Sequence, residues 1–265
     1  MKKSERWIAI SLCIVIIIGL SIYIFSLLGV DVPQEAIRES RDTHVETSSD
    51  NNADEAAVDV PPEQEVYPEE EPPELLPRIV QLREDYDNPD IIGFIEIPNT
   101  NISYPVAQTG NNSFYLYHDL NWNPTAAGSI FLDYENDLYA LADDNTIIYG
   151  HNMRGGTKFH NIRYFHGEDF FRAHTYILLD TPYRETVWDI FSFFHTTIDF
   201  CYLTTNFFTR EAFYEFLLEL QGRSHFETDI VLTDSDQILI LSTCGVVGGD
   251  NRYVVVARLR QDVES

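Results

Sequence analysis

The chain has 265 residues, with 43 acidic against 17 basic side chains and a net charge of −26 at pH 7. A polyanion of this kind is repelled by a phosphate backbone, which excludes nucleic acid as a partner. About half of that charge falls in residues 31–74, so for the rest of the chain it speaks only to solubility.

In chain order, Lys2, Lys3 and Arg6 precede an almost uninterrupted apolar run at 7–30. The run reaches the ~20 residues needed to cross a hydrocarbon core and exceeds the ~7–15 residues of a cleaved signal's apolar region. It reads as one uncleaved transmembrane helix, with a cleaved signal as the alternative. The basic residues lie before it and no basic cluster follows, which puts the N-terminus in the cytoplasm and the remainder outside. Residues 31–74 are rich in Glu, Asp and Pro, with Arg38 and Arg41 as their basic residues. Such a segment buries too little apolar surface to offset its ordering entropy, so a disordered, self-repelling tether is expected. Residues 75–265 are long enough for one domain with a sizeable core.

Within that domain "ELLPRIVQLREDY" predicts an amphipathic helix with Pro77 in its opening turn. "IIGFIEIP" and "NISYPVAQ", separated by Pro98, Asn99 and Thr100, predict a hairpin. Further β-type runs are "GSIFLDY", "NTIIYG", "TYILLDT", "ETVWDIFSFF", "DIVLT", "QILILSTC" and "RYVVVARL", which brings the expectation to nine. A late helix is expected at 209–221, with Thr209 as N-cap, Gly222 as C-cap, and Ala212, Phe213, Phe216, Leu217 and Leu220 on one face. Many short strands with few helices predict a mostly β fold in which a closed barrel removes exposed edges, a sandwich being the alternative.

The cysteines narrow the chemistry. Cys13 falls in the membrane run, and Cys201 in "IDFCYL" is expected to be a buried, inert thiol. Cys244 ends a strand, and a lone exposed thiol outside the cell is a candidate reactive group. If 238–243 and 253–259 are neighbouring strands joined through the loop containing Gly245, Gly248 and Gly249, Arg252 lies at the same sheet end. A guanidinium there favours the thiolate and offers fixed donors to an oxyanion. A thiol nucleophile also needs a proton shuttle. His151 in "NTIIYGHNM" follows a buried-type strand, with Gly150 allowing an unusual backbone and Asn152 available to orient the ring. His118 in "FYLYHDL" is the rival; His160, His166, His174, His195 and His225 are expected to be solvated. There is no paired-Cys or His-x-x-x-His spacing, so no metal or other cofactor is implied. "DYEND" at 133–137 lacks the glycine and terminal glutamate of a calcium loop and reads as a solvated turn.

Taken together, "LSTC" closing a strand, Arg252 eight residues on, "IIYGHNM" upstream, and "FYLYHDL", "AGSIFLDYEND" and "NTIIYGHNMRGGTKF" in that order resemble the sortase family of cysteine transpeptidases, class B in particular. The resemblance covers roughly 75–261. It implies a sortase-type barrel of about eight strands with an N-terminal helix and a helix between strands six and seven. It further implies Cys244 as nucleophile, His151 as general acid/base and Arg252 as holder of the substrate carbonyl and its developing charge. Thr243 would help shape the oxyanion site, Ser242 would border the substrate groove, and Asn112 and Leu116 would contact the sorting peptide. The implied partners are surface proteins or pilins with a C-terminal sorting signal and an amine from a peptidoglycan precursor or pilin. One departure is Val246, which stands where some class B members have an acidic residue. An L,D-transpeptidase would have an arginine almost directly after its cysteine, and a papain-like enzyme would place its cysteine before the histidine. A non-catalytic tethered binding module with the same barrel remains the alternative of another kind.

Overall fold

A computed structural model describes residues 73–197, 199–244 and 251–261, with Cys244 described through its backbone. The expected membrane helix at 7–30 and nearly all of the expected tether lie outside these residues. Among the described residues no helix is long and apolar enough to cross a membrane.

Helix α1 (Pro77–Tyr86) begins on Pro77, whose missing N–H costs nothing in the first turn, and ends on Asp87 in the left-handed conformation. Ile79 is its buried anchor, and Arg78 reaches Asp180 at 2.6 Å, tying the helix to the sheet. Eight strands follow among the described residues: β1 (Ile91–Glu96), β2 (Ser103–Ala107), β3 (Ile130–Leu132), β4 (Asn145–His151), β5 (Tyr176–Asp180), β6 (Glu185–Thr196), β7 (Ile238–Cys244) and β8 (Arg252–Leu259). They close into a barrel in the order β1-β2-β3-β4-β7-β8-β6-β5, in which β2–β3 and β4–β7 are the parallel pairs. One of the nine expected strands, 229–233, is irregular. β8, beside which it runs, is already paired on both sides by β6 and β7, so no edge is left to join. The carbonyls of Ile230 and Val231 are instead met by Gln221 and Arg258 side chains.

The barrel has two apolar layers, and strand alternation sorts residues between them. Ile130, Leu132, Ile148, Leu239, Leu241, Val255 and Ala257 fill the interior. Ile147, Ile238, Ile240, Val254 and Val256 face outward and are covered by helix α3 (Arg210–Gly222) through Phe213, Phe216, Leu217 and Leu220. Burial on both faces is why β4, β7 and β8 read as continuous apolar runs rather than alternating ones. The Thr209 hydroxyl accepts from the Ala212 amide at 3.1 Å, as expected of an N-cap, but Ala212 is exposed and Arg223, not Gly222, is the C-cap.

Two segments depart from the sequence reading. A 3-10 helix (Phe159–His166) and a short helix α2 (Glu168–Ala173) were not expected. Phe159, Ile162 and Phe165 recur every three residues, the period of a 3-10 helix, and join the interior core. His160, on the same turn, is buried rather than solvated. Cys201 is exposed, correcting the buried expectation. β6 ends at Thr196, and the chain beyond it runs as irregular structure in which Tyr202 packs inward while Cys201 and Leu203 face solvent.

Candidate active site

Strand register assembles the site. β4 and β7 run parallel in step from Asn145↔Ile238 to His151↔Cys244, so His151 and position 244 are direct neighbours across the pair. β7 and β8 are antiparallel through Ser242↔Val254, and the same register carried two residues further sets position 244 opposite Arg252. On its other side Arg252 pairs with Thr196 of β6. His151 follows Ile147 and Tyr149 in the outward row of β4, and Arg252 precedes Val254 and Val256 in that of β8. Position 244 comes next in the row Ile238, Ile240, Ser242. All three expected catalytic positions therefore share one end and one face of the barrel.

Gly150 is needed for a reason other than the expected one. Its φ is not in the left-handed region; a Cβ there would lie 2.4 Å from Ile130 Cδ1 and 2.8 Å from the Phe159 ring. Hydrogen is the only substituent that lets the 3-10 helix close against β4 one residue before the histidine.

His151 is half-buried, with Nε2 2.9 Å from the Leu116 carbonyl. A carbonyl can only accept, so Nε2 carries the proton and Nδ1 is the ring's acceptor in the neutral state. Asn152, expected to orient the ring, forms a β-bridge to Lys158; orientation comes from Leu116. The loop holding that carbonyl is tightly tied. Asn111 Oδ1 accepts from the Ser113 and Phe114 amides, and the Ser129 amide donates to the Tyr115 carbonyl at 2.8 Å. Gly128, at φ +55°, passes directly over the turn, where a Cβ would sit 2.5 Å from Leu116 O. The Tyr115 hydroxyl donates to Asp90 and accepts from Asn88 and Trp122; burial pushes its pKa up to about 12, which keeps this donor protonated.

The remaining expected residues are placed as follows. Leu116 is brought to His151 through its backbone, and its side chain packs in the cluster that includes Tyr149. Asn112 donates to Asp133 at 2.8 Å and accepts from the Tyr134 amide, while Tyr149 donates to the same Asp133 oxygen at 2.7 Å. "DYEND" is therefore solvated only at Tyr134, Glu135 and Asp137; Asp133 and Asn136 are buried. Ser242 is buried under Tyr202, whose hydroxyl is 2.8 Å from Ser242 Oγ. Thr243 Oγ1 accepts from the Tyr253 amide at 2.9 Å, pinning the start of β8 beside Arg252. Arg252 is half-buried as a residue, and its guanidinium donates to the Asn251 carbonyl at 3.3 Å. His118 stacks on Phe114 at 4.3 Å with Nδ1 2.9 Å from the Phe114 carbonyl, so its imidazole is engaged with its own loop. Tyr149, Tyr202 and Gly128 were not singled out in the sequence, and Asp133 reads there only as part of a solvated turn. The one signal available was the i, i+2 spacing of Tyr149 and His151, which puts both on one strand face.

Comparison with known proteins bears on the family and the fold. A sortase domain family model matches residues 95–260. Sortase B of Listeria monocytogenes is 36% identical over 157 residues, 59% of this chain and 63% of that protein, so the match spans less than two thirds of the relative's length. The Staphylococcus aureus sortase B–substrate complex superposes with a TM-score of 0.67 at 31% identity, covering 71% of this chain and 87% of that one. Sortase B from Bacillus anthracis gives a TM-score of 0.66 at 33% identity, covering 71% and 86%.

Proposed function

The chain belongs to the sortase family and resembles its class B members, and from that premise we propose that it is a membrane-anchored cysteine transpeptidase acting on C-terminal sorting signals outside the cell. The observation that carries the reading is the register that brings His151, position 244 and Arg252 to one end of the barrel.

In the first step the Cys244 thiolate attacks the carbonyl carbon of the threonine in the sorting motif. The Arg252 guanidinium receives the developing oxyanion. As the tetrahedral species collapses, the C–N bond to the following residue breaks, imidazolium His151 gives that nitrogen its proton, and a thioester remains on Cys244. In the second step an amine from a peptidoglycan precursor or a pilin attacks the thioester carbon and loses its proton to His151, and the C–S bond breaks to restore the thiolate. Two moderate barriers replace one difficult exchange. Val246 stands in place of an acid, and among the described residues the Leu116 carbonyl holds Nε2–H. The apolar run at 7–30 and the acidic 31–74 segment fit an anchor and tether, which raise the effective concentration of the enzyme near membrane-borne substrates.

The test uses the full chain in a mild detergent with fluorogenic peptides of the Asn-Pro-x-Thr-Asn and Leu-Pro-x-Thr-Gly types, excess amine and intact-mass detection. An acyl adduct and an amide product, both absent in Cys244→Ala, are expected. A folded chain in which Cys244 itself still reacts with a thiol reagent, but which cleaves none of the peptides and forms no adduct, would leave either a motif outside this set or the tethered binding module.

A further inference from the structure

Three histidines that the reaction does not use converge beside the site. His166 is the last residue of the 3-10 helix, His195 is the penultimate residue of β6, and His225 follows α3. His195 Nδ1 and His225 Nε2 are 3.1 Å apart, and one ring nitrogen from each of the three lies within 4.8 Å of the others. The His166 and His225 rings meet edge to face at 5.1 Å.

We propose that His166, His195 and His225 form a binding site for a divalent transition-metal ion of the zinc class. Three imidazoles with one open position is a donor set suited to Zn²⁺, Co²⁺ or Cu²⁺ and unsuited to Ca²⁺ or Mg²⁺. Tetrahedral Zn–N bonds of about 2.0–2.1 Å require nitrogens roughly 3.3 Å apart. One pair already has nearly that spacing, and the third ligand closes its gap by rotation of His166, which is exposed at a helix end.

The backbone under two of the ligands is fixed. The His225 amide donates to the Phe193 carbonyl at 2.8 Å, and the Phe193 amide donates to Ser224 Oγ at 3.2 Å, so the 224–226 segment is hooked onto β6 two residues before His195. The His225 ring stands edge-on to Phe193. A cavity of about 250 Å³ lined by Arg163, His166, His195, Asn251 and Tyr253 provides room for a fourth ligand. The Arg163 guanidinium in that lining favours an anionic one. His195 pairs with Tyr253, so a bound ion would brace the strand start that carries Arg252. Sequence spacing did not show the cluster because its members come from three separate segments.

The test reads metal binding alone and is independent of the transpeptidase reading. The full chain, purified in detergent without a polyhistidine tag and stripped with chelator, is titrated with Co²⁺ under visible absorption, and Zn²⁺ is then used to displace it. One tetrahedral Co²⁺ per chain with nitrogen and oxygen ligation is expected. Binding should weaken at least about tenfold in each of His166→Gln, His195→Gln and His225→Gln and stay unchanged in His174→Gln. Circular dichroism of the stripped variants checks folding; should either of the other two misfold, His166→Gln, whose ring is exposed, still decides the matter. Absence of binding, binding indifferent to these substitutions, or a sulfur-to-cobalt charge-transfer band from a cysteine ligand would each overturn the proposal.

Discussion

Gly128→Ala isolates the contribution of the Leu116 carbonyl without touching any residue assigned to chemistry. At φ +55° an alanine costs about 1 kcal/mol relative to glycine from backbone strain alone. Its Cβ would lie 2.5 Å from Leu116 O and 2.6 Å from Tyr115 O, and must recede to an ordinary contact of at least 3.4 Å. If the Leu116 carbonyl takes up that shift of roughly 0.9 Å, its 2.9 Å contact with His151 Nε2 opens to about 3.8 Å, which is no longer a hydrogen bond. A hydrogen bond to a charged imidazolium is worth about 1.5–3 kcal/mol, so kcat/KM should fall roughly 10- to 150-fold. The melting temperature should fall by only a few degrees, at about 2–4 °C per kcal/mol for a domain of this size. Gly110→Ala, where a Cβ meets nothing within 4 Å, is the matched control and should leave both quantities unchanged. The assay is peptide cleavage in the presence of excess amine, with melting followed by circular dichroism. A folded Gly128→Ala chain with undiminished kcat/KM would refute the assignment of Leu116 as the group that orients His151.

Tyr149→Phe removes one of the donors to the buried Asp133 carboxylate while leaving the Asn112 and Glu135 contacts, and should cost about 1–2 kcal/mol in urea unfolding; an unchanged midpoint would show that the Asp133 network is slack. Thr209→Ala deletes the α3 cap bond and should cost about 1 kcal/mol, unless the Ala212 amide finds water at no penalty, in which case the midpoint stays where it is. Asp180 is raised above the ordinary 3.8, by burial first, with Arg78 opposing. Because its native form holds a proton more tightly than the unfolded form, its contribution to stability is complete below 3.8 and is lost as pH rises through the higher native value. Asp180→Asn should lack that decline, so the stability difference between the two chains should change across this window and flatten above it; parallel curves would show that Arg78 fully compensates.

How far the sequence discloses such a site depends on what kind of group does the work. His151, Cys244 and Arg252 stand at strand ends, and a strand end is written locally, as an apolar run followed by a polar residue and a turn. The barrel was legible for the same reason, since each run stands out locally, by alternation or, in β4, β7 and β8, by unbroken apolarity, and only the pairing order needed the structure. The irregular 229–233 segment failed because strand propensity says nothing about whether a partner edge remains, and in a closed barrel none did. The 3-10 helix failed because its three-residue period resembles neither the helix nor the strand pattern over so short a stretch. Cys201 failed because apolar neighbours are a guide to burial only inside a regular element, and there the chain has already left β6.

The orienting group for His151 was hidden for a deeper reason. Every residue has a backbone carbonyl, so the one on Leu116 has no signature; what makes it available is how the loop folds over it. That fold is specified at a distance, by a glycine at 128 that can pass within contact of the carbonyl and by the Tyr115 hydroxyl gathering Asp90, Asn88 and Trp122 beneath the turn. A side-chain acid in that role would reveal itself as a charged residue near the nucleophile, whereas a carbonyl leaves only its supports to be found. The same logic makes the supports sensitive to substitution although none of them touches the reacting atoms: moving the carbonyl by less than 1 Å is enough to take a 2.9 Å hydrogen bond out of range.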